Sequence, residues 1–167
     1  ILIFPQISFS QTIETKKIAN ADYASVIMYH RFGDSRYPST NIKKEQFESH
    51  INELIKPKYN VIDIKKALKA INEEELINDR SIVITIDDAY SSVFDYAWPI
   101  FKKHNLPFTL FVSTDVIDKK IPGYMSWEEI RILRDNGITI GSQTKSHPHL
   151  HKLTKSQIIE ELTISNK

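Results

Sequence analysis

Ser81-Ile82-Val83-Ile84-Thr85-Ile86-Asp87-Asp88-Ala89-Tyr90 carries the strongest signal in the chain. Ile82, Val83, Ile84 and Ile86 are β-branched, and the run from Ser81 to Ile86 contains no charge. That pattern predicts a fully buried strand of a parallel sheet. The run ends abruptly in two adjacent carboxylates. One Asp would serve as the N-cap of a following helix, but a buried strand has no structural use for two acids at its end. In parallel α/β folds the carboxyl ends of the strands are where chemistry is placed. Asp87 and Asp88 are therefore the first candidate functional residues.

Outward from this stretch, strand and helix signals alternate. Ala24 to His30 predicts a second buried strand, which also ends in a titratable residue. Loop chemistry follows to Asn41, then a helical spacing over Ile42 to Ile55, stopped by Pro57. Asn60 to Ile64 predicts a short strand, and Lys65 to Asn72 a helix with Ala67, Leu68 and Ile71 on one face. Residues 73 to 80 are polar and predict a solvated connection. Tyr90 to His104 has helical spacing, with Pro99 positioned to kink or divide it. Pro107 to Val112 is a further buried strand. Ser126 with Glu129 three residues on predicts a capping box, and Gly137 a helix stop. Ile138 to Gly141 is a strand that leads into Ser142-Gln143-Thr144-Lys145-Ser146-His147-Pro148-His149-Leu150-His151. Gln157 to Ile164 predicts an amphipathic helix. Strand and helix repeat at intervals of roughly 30 residues, which favours a parallel α/β domain, doubly wound or a (β/α) barrel. No G-x-G-x-x-G follows a strand, which argues against a dinucleotide fold, and the scarcity of glycine argues against a phosphate-binding loop.

The 167 residues fit one domain. With 22 basic and 21 acidic residues the net charge is +1, so nothing points to nucleic acid or an anionic membrane as partner. Cysteine is absent, which excludes disulfides, thiolate zinc sites and a thiol nucleophile. The chain begins on an apolar segment, Ile1 to Pro5, and small residues follow at Ser8 and Ser10. That pattern resembles a signal-peptide cleavage site, with an N-terminal strand or tail as the alternative. The expected organisation is a signal-peptide remnant and linker over residues 1–22 and one domain over residues 23–167, in an extracytoplasmic protein. No apolar stretch elsewhere is long enough to span a membrane.

Three strand ends carry suspicious side chains: His30, Asp87 with Asp88, and Gln143 to His151. In a parallel sheet these ends lie on one face. Carboxylate with imidazole is a divalent-metal donor set, and a second carboxylate beside the metal can act as general base for water. The set suits hydrolysis of an amide or ester. Among the histidines, His147 lies just after a strand end, whereas His149 and His151 fit exposed loop positions. His50 fits a solvated helix position, and His104 a helix C-terminus. Trp98 and Trp127 fit packing against the sheet.

Thr85-Ile86-Asp87-Asp88-Ala89 resembles the T-F-D-D-G signature of the polysaccharide deacetylases of carbohydrate esterase family four. Gly141 to Leu150 resembles that family's H-[ST]-x-x-H-P motif, and Val26 to His30 followed by Phe47 is similar to its opening strand and first helix. The resemblance covers about residues 24 to 165. It implies a distorted (β/α) barrel and hydrolysis of N-acetyl, or in some members O-acetyl, groups on an acetylated amino-sugar polymer. It implies Asp87 as general base and a divalent ion (zinc, or nickel, cobalt, iron or manganese) held by Asp88, His147 and the residue at Gln143. His30 matches a strand-end histidine close to the metal in members acting on poly-N-acetylglucosamine, and is expected in the catalytic set. The resemblance further implies that a backbone N–H and the metal together hold the oxyanion.

The departures are specific. Gln143 stands where the family has a histidine, and Ala89 where it has glycine. The family's later motifs, with a groove-wall Arg and a general-acid His, are not found and would lie beyond Lys167, so the barrel domain is expected to be truncated at its C-terminus. The rival is a non-catalytic carbohydrate-binding relative whose metal site is degenerate.

Overall fold

The computed structural model describes residues 20–73 and 75–166. In chain order its strands are β1 (Asn20–Ala21), β2 (Ser25–Tyr29), β3 (Arg31–Phe32), β4 (Asn41–Ile42), β5 (Asn60–Ile62), β6 (Ile77–Asn78), β7 (Ser81–Ile86), β8 (Thr109–Val112) and β9 (Thr139–Ser142). The α-helices are α1 (Lys44–Leu54), α2 (Ile64–Asn72), α3 (Trp98–Lys103), α4 (Thr114–Asp118), α5 (Trp127–Asp135) and α6 (Lys155–Ser165). The main sheet is parallel and runs β2-β7-β8-β9, with β5 also on β7. β2 pairs with β7 from Ile82 to Ile86, while β5 takes Ser81 to Val83 and β8 takes Thr85 and Ile86. One edge of β7 thus meets a single neighbour, and the other is shared by two.

All six residues of β7 are buried, as its composition predicts. Alternation divides them between two faces. Ile82, Ile84 and Ile86 join the larger core with Tyr29, Phe32, Phe47, Phe101 and Phe108. Val83 joins Ile62, Ala67, Ala70 and Ile77 under α2. Aromatic contacts tie the larger core together: Phe47 to Phe101 at 5.2 Å and Phe101 to Phe108 at 4.9 Å between ring centroids.

Several sequence expectations need correction. β2 is not fully buried: Val26 and Met28 are 63% and 59% exposed, because it is an edge strand covered on one face. On α2 the buried positions are Ala67 and Ala70, while Leu68 and Ile71 face solvent. The polar connection over residues 73–80 contains β6, whose Ile77 is buried and whose partner is β1. That pairing takes Asn20 and Ala21 out of the expected linker; residues 1–19, with the cleavage-site pattern, lie outside the described residues. α4 was not expected. α6 forms over the expected span, yet buries none of its residues. The Tyr90–His104 segment does divide at Pro99: Val93–Ala97 is a π-helical turn, closed by Trp98 N–H to the Val93 carbonyl, before α3 begins. Pro99 has no N–H to continue an α-helical ladder. The capping box of Ser126 and Glu129 and the stop at Gly137, with φ +88°, are present as expected.

Gly141 sets how β9 reaches the carboxyl edge. It is the register partner of Phe111 on β8, and a Cβ built on it would sit 2.6 Å from two atoms of the Phe111 ring. Gly141→Ala must therefore displace that ring, and overpacking of this kind costs about 1–3 kcal/mol. A lowered thermal midpoint is the expected result. Val26→Ala, at an exposed position of β2, should stay within about 0.5 kcal/mol of the parent protein in the same melting experiment.

Candidate active site

The carboxyl ends of β7 and β9 meet above β8. Asp87 keeps one sheet hydrogen bond, its N–H donating to the Tyr29 carbonyl at 2.9 Å. The chain then leaves the sheet through two consecutive left-handed residues, Asp88 (φ +70°) and Ala89 (φ +50°). Such a conformation costs roughly 1–2 kcal/mol for a non-glycine residue. Asp is among the residues that tolerate it; at Ala89 the cost is met by full burial of the side chain and by Met125 N–H donating to its carbonyl at 2.9 Å. The turn leaves both carboxylates at the rim of the sheet, the Asp88 side chain 19% exposed.

Gln143 is the link between the two strand ends. Its N–H donates to the Val112 carbonyl at 2.9 Å, extending β9 by one residue. Its carboxamide reaches the end of β7. Oε1 accepts the Asp88 N–H at 3.0 Å, while Nε2 lies 3.3 Å from Asp87 Oδ2 and 3.0 Å from His147 Nε2. The Asp88 N–H fixes which end of the carboxamide is oxygen. An amide nitrogen only donates, so His147 Nε2 is the acceptor and the neutral ring carries its proton on Nδ1. One side chain thus ties Asp87, Asp88 and His147 together.

His147 stands at the outer rim, its side chain 59% exposed. Its turn is tightly specified. Thr144 and His147 both have positive φ, and His147 N–H donates to Thr144 Oγ1 at 3.1 Å. The Lys145 carbonyl accepts from Asp115 N–H at 2.8 Å, which is what the unexpected α4 contributes. From α6, the Glu161 carboxylate accepts the Ser146 N–H at 2.7 Å and its hydroxyl at 2.6 Å, while the Glu161 backbone carbonyl accepts Lys145 N–H at 3.2 Å.

Burial pushes the Asp87 carboxyl above the usual carboxylate range; the charges of His30 and His147 pull against that rise, and Asp88 adds to it. His30, half-buried at the end of β2, is thus part of Asp87's electrostatic surroundings. His149 and His151 are exposed and lie against each other, 5.7 Å between rings. His50 is exposed on α1 with Nδ1 2.9 Å from the Tyr29 hydroxyl. Trp98 is buried in the core, and Trp127 donates its indole N–H to Asp118 at 2.7 Å.

Among the described residues, Asp88 and His147 are the carboxylate and imidazole donors that stand nearest each other for the divalent ion that the motifs imply. Asp88 Oδ1 and His147 Nε2 are 4.0 Å apart. A zinc ion bonded tetrahedrally to both needs them roughly 3.4 Å apart, a closure of about half an ångström. Carboxylate and neutral imidazole are suitable donors, so these two residues fit an ion held between them. No group of three carboxylate or imidazole side chains able to hold an ion occurs among the described residues. Gln143, expected as a ligand, has its oxygen on the Asp88 N–H and turns its nitrogen to His147. The His147 lone pair that receives this nitrogen is the one an ion would use, so the two are mutually exclusive.

Three residues near the site carried no recognisable sequence signal. Glu161 is 15 residues from the Ser146 it holds. Tyr90 faces the site, its phenol kept protonated by burial, Tyr124 and Asp88. The Arg31 guanidinium is stacked on Tyr90 and Tyr37.

A family model described as polysaccharide deacetylase matches residues 76–167. The chain is 28% identical over 158 residues to the YxkH protein of Bacillus subtilis (strain 168), covering 95% of this chain and 54% of that one. It is 23% identical over 144 residues to the poly-beta-1,6-N-acetyl-D-glucosamine N-deacetylase of Staphylococcus aureus, covering 84% and 48%. The chain therefore spans about half the length of these relatives. Among solved structures, the Streptococcus pyogenes deacetylase PplD superimposes with a TM-score of 0.77 at 17% identity, covering 89% of this chain and 66% of that one. IcaB from Ammonifex degensii does so at 0.65 and 26%, covering 82% and 58%. The fold is thus that of the deacetylase barrels, and with the matched segment running from β6 through both strand ends just described, the chain belongs to the polysaccharide deacetylase family.

Proposed function

We propose that this chain forms the catalytic face of a hydrolase that removes N-acetyl groups from an amino-sugar polymer, with O-acetyl esters as the related substrate. The observation that carries the proposal is the meeting of Asp87, Asp88 and His147 around Gln143 at the carboxyl ends of β7 and β9. The Staphylococcus aureus relative, named for an N-deacetylase of poly-beta-1,6-N-acetyl-D-glucosamine, supports the substrate class. Such a polymer belongs outside the cytoplasm, and the protein is placed there with it.

Asp87 is the general base. Burial raises its proton affinity, which suits it to take a proton from water as that water attacks the acetyl carbon. His30 steadies the Asp87 charge and is the second titratable group in reach. Asp88 and His147 hold the divalent ion, zinc being the best match to a carboxylate–imidazole pair. When bound, that ion supplies Lewis-acid polarisation of the acetyl carbonyl. Gln143 joins the ligands only by surrendering the Asp88 N–H and turning its oxygen. In the same turn the Tyr90 N–H has no acceptor among the described residues, and it is the donor for the tetrahedral oxyanion.

One observation favours a second reading. In the present arrangement Gln143 takes the His147 lone pair, and a site locked in that way would bind carbohydrate without cleaving it. Acetate release decides between the two. Asp87→Ala in the full-length protein should lower acetate release by about 10²–10⁴-fold while zinc binding, followed by calorimetry, is retained; loss of zinc together with activity would exchange the roles of the two aspartates. Gln143→His replaces a competing donor by an imidazole ligand and should tighten zinc binding by about tenfold or more.

A further inference from the structure

A cleft of about 470 Å³ opens beside the site, between the loop after β3 and the turn carrying Tyr124. Its volume is that of a small-ligand pocket. Arg31, the residue after His30, projects into its wall. The guanidinium carbon lies 3.4 Å from the centre of the Tyr90 ring and 3.8 Å from that of Tyr37, so the planar cation is held between two aromatic faces. Tyr90 stacks in turn on Tyr124 at 4.8 Å, and its phenol faces Asp88. The cleft and the carboxylate turn therefore share a wall.

Arg31 has no acid in direct contact: Asp34, which lines the same cleft and feels the Arg31 charge, is bonded to Arg36 instead. Among the described residues its side chain has no hydrogen-bond or ion-pair partner, and Nε is shut from solvent with no acceptor. The nearest acid in sequence, Asp34, is committed to Arg36 through both oxygens, at 2.9 and 3.0 Å. Stacking on tyrosine makes such a guanidinium tolerable, and of its planar donors the terminal N–H groups, unlike Nε, are not shut away from a ligand. Aromatic rings with a fixed donor fork suit a pyranose ring that presents an oxygen acceptor. The guanidinium charge disfavours an ammonium group set against it, while Asp34 on the same lining is already neutralised by Arg36.

We propose that the Arg31 cleft is a subsite for the sugar unit next to the one being deacetylated, and that Arg31 selects a unit still N-acetylated over one bearing a free amine. The inference rests on the deacetylase reading above. An acetamide offers a carbonyl oxygen to the guanidinium, whereas the product amine offers a like charge. Deacetylation of one unit would then disfavour its neighbour, and acetyl groups would be removed at spaced positions rather than in blocks.

Binding of N-acetylglucosamine and glucosamine oligosaccharides of equal length to the full-length protein tests this by calorimetry at about pH 6, where a free amine is protonated. The parent protein should bind the acetylated oligosaccharide roughly tenfold tighter, with a preference that shrinks as salt rises. Arg31→Met should reduce the preference to within about twofold, whereas Arg31→Lys, keeping the charge without the planar fork, should retain discrimination at lower affinity. Tyr37→Ala should weaken both ligands alike. Thermal melting establishes that each variant is folded. A preference undiminished in folded Arg31→Met, or no preference in the parent protein, overturns the subsite. Acetate release from the acetylated oligosaccharide is followed in parallel: release without an Arg31-dependent preference defeats the subsite alone, and an Arg31-dependent preference without release defeats the deacetylase reading alone.

Discussion

β7 is buried on both faces and hydrogen-bonded along both edges, so its polar groups can reach water only at its carboxyl end. That constraint organises the domain. Six buried residues fix the strand's direction and depth, and with them the point at which the chain must turn. Because β2 continues to bond Asp87, the turn cannot begin earlier; because Met125 and the core enclose Ala89, it cannot open wide. Two left-handed residues are the outcome, and two carboxylates are held where a flexible loop would have let them separate.

The second requirement is that β9 be brought to the same place. Gly141 lets the Phe111 ring lie against the backbone, and β9 continues through Gln143 before turning. Gln143 then satisfies three neighbours with one carboxamide. An imidazole at this position could not accept the Asp88 N–H and also donate to both Asp87 and His147 in the same manner. The glutamine is therefore well adapted to holding the site together in the absence of an ion, and poorly adapted to holding the ion. Metal affinity and preorganisation pull in opposite directions at this position.

The parts of the structure that were legible in the sequence are those set by local pattern. The all-apolar run of β7, the capping box at Ser126, the stop at Gly137 and the division at Pro99 each depend on residues a few positions apart. The two aspartates were legible because they violate the pattern of the strand that carries them. What could not be read depends on coverage. Val26 and Met28 are as apolar as Val83, and only the absence of a covering layer exposes them. Likewise Leu68 and Ile71 have helical spacing, yet α2 turns its alanines toward Val83 and leaves those two in solvent. Glu161, Tyr90 and Arg31 escaped notice because their partners are distant in sequence or are aromatic faces that carry no charge signature.

α6 buries none of its side chains, yet it holds the His147 turn through the carboxylate and the carbonyl of Glu161. A helix that buries no side chain, and is held by the Glu161 bonds to this turn and by Ser165 to Ser142 of β9, behaves as a lever anchored near its C-terminal end. Its position is inexpensive to change, because no core contact resists, and any change is delivered to the turn that carries the imidazole. A shift of α6 is therefore passed, through Glu161, to the turn that carries the His147 imidazole.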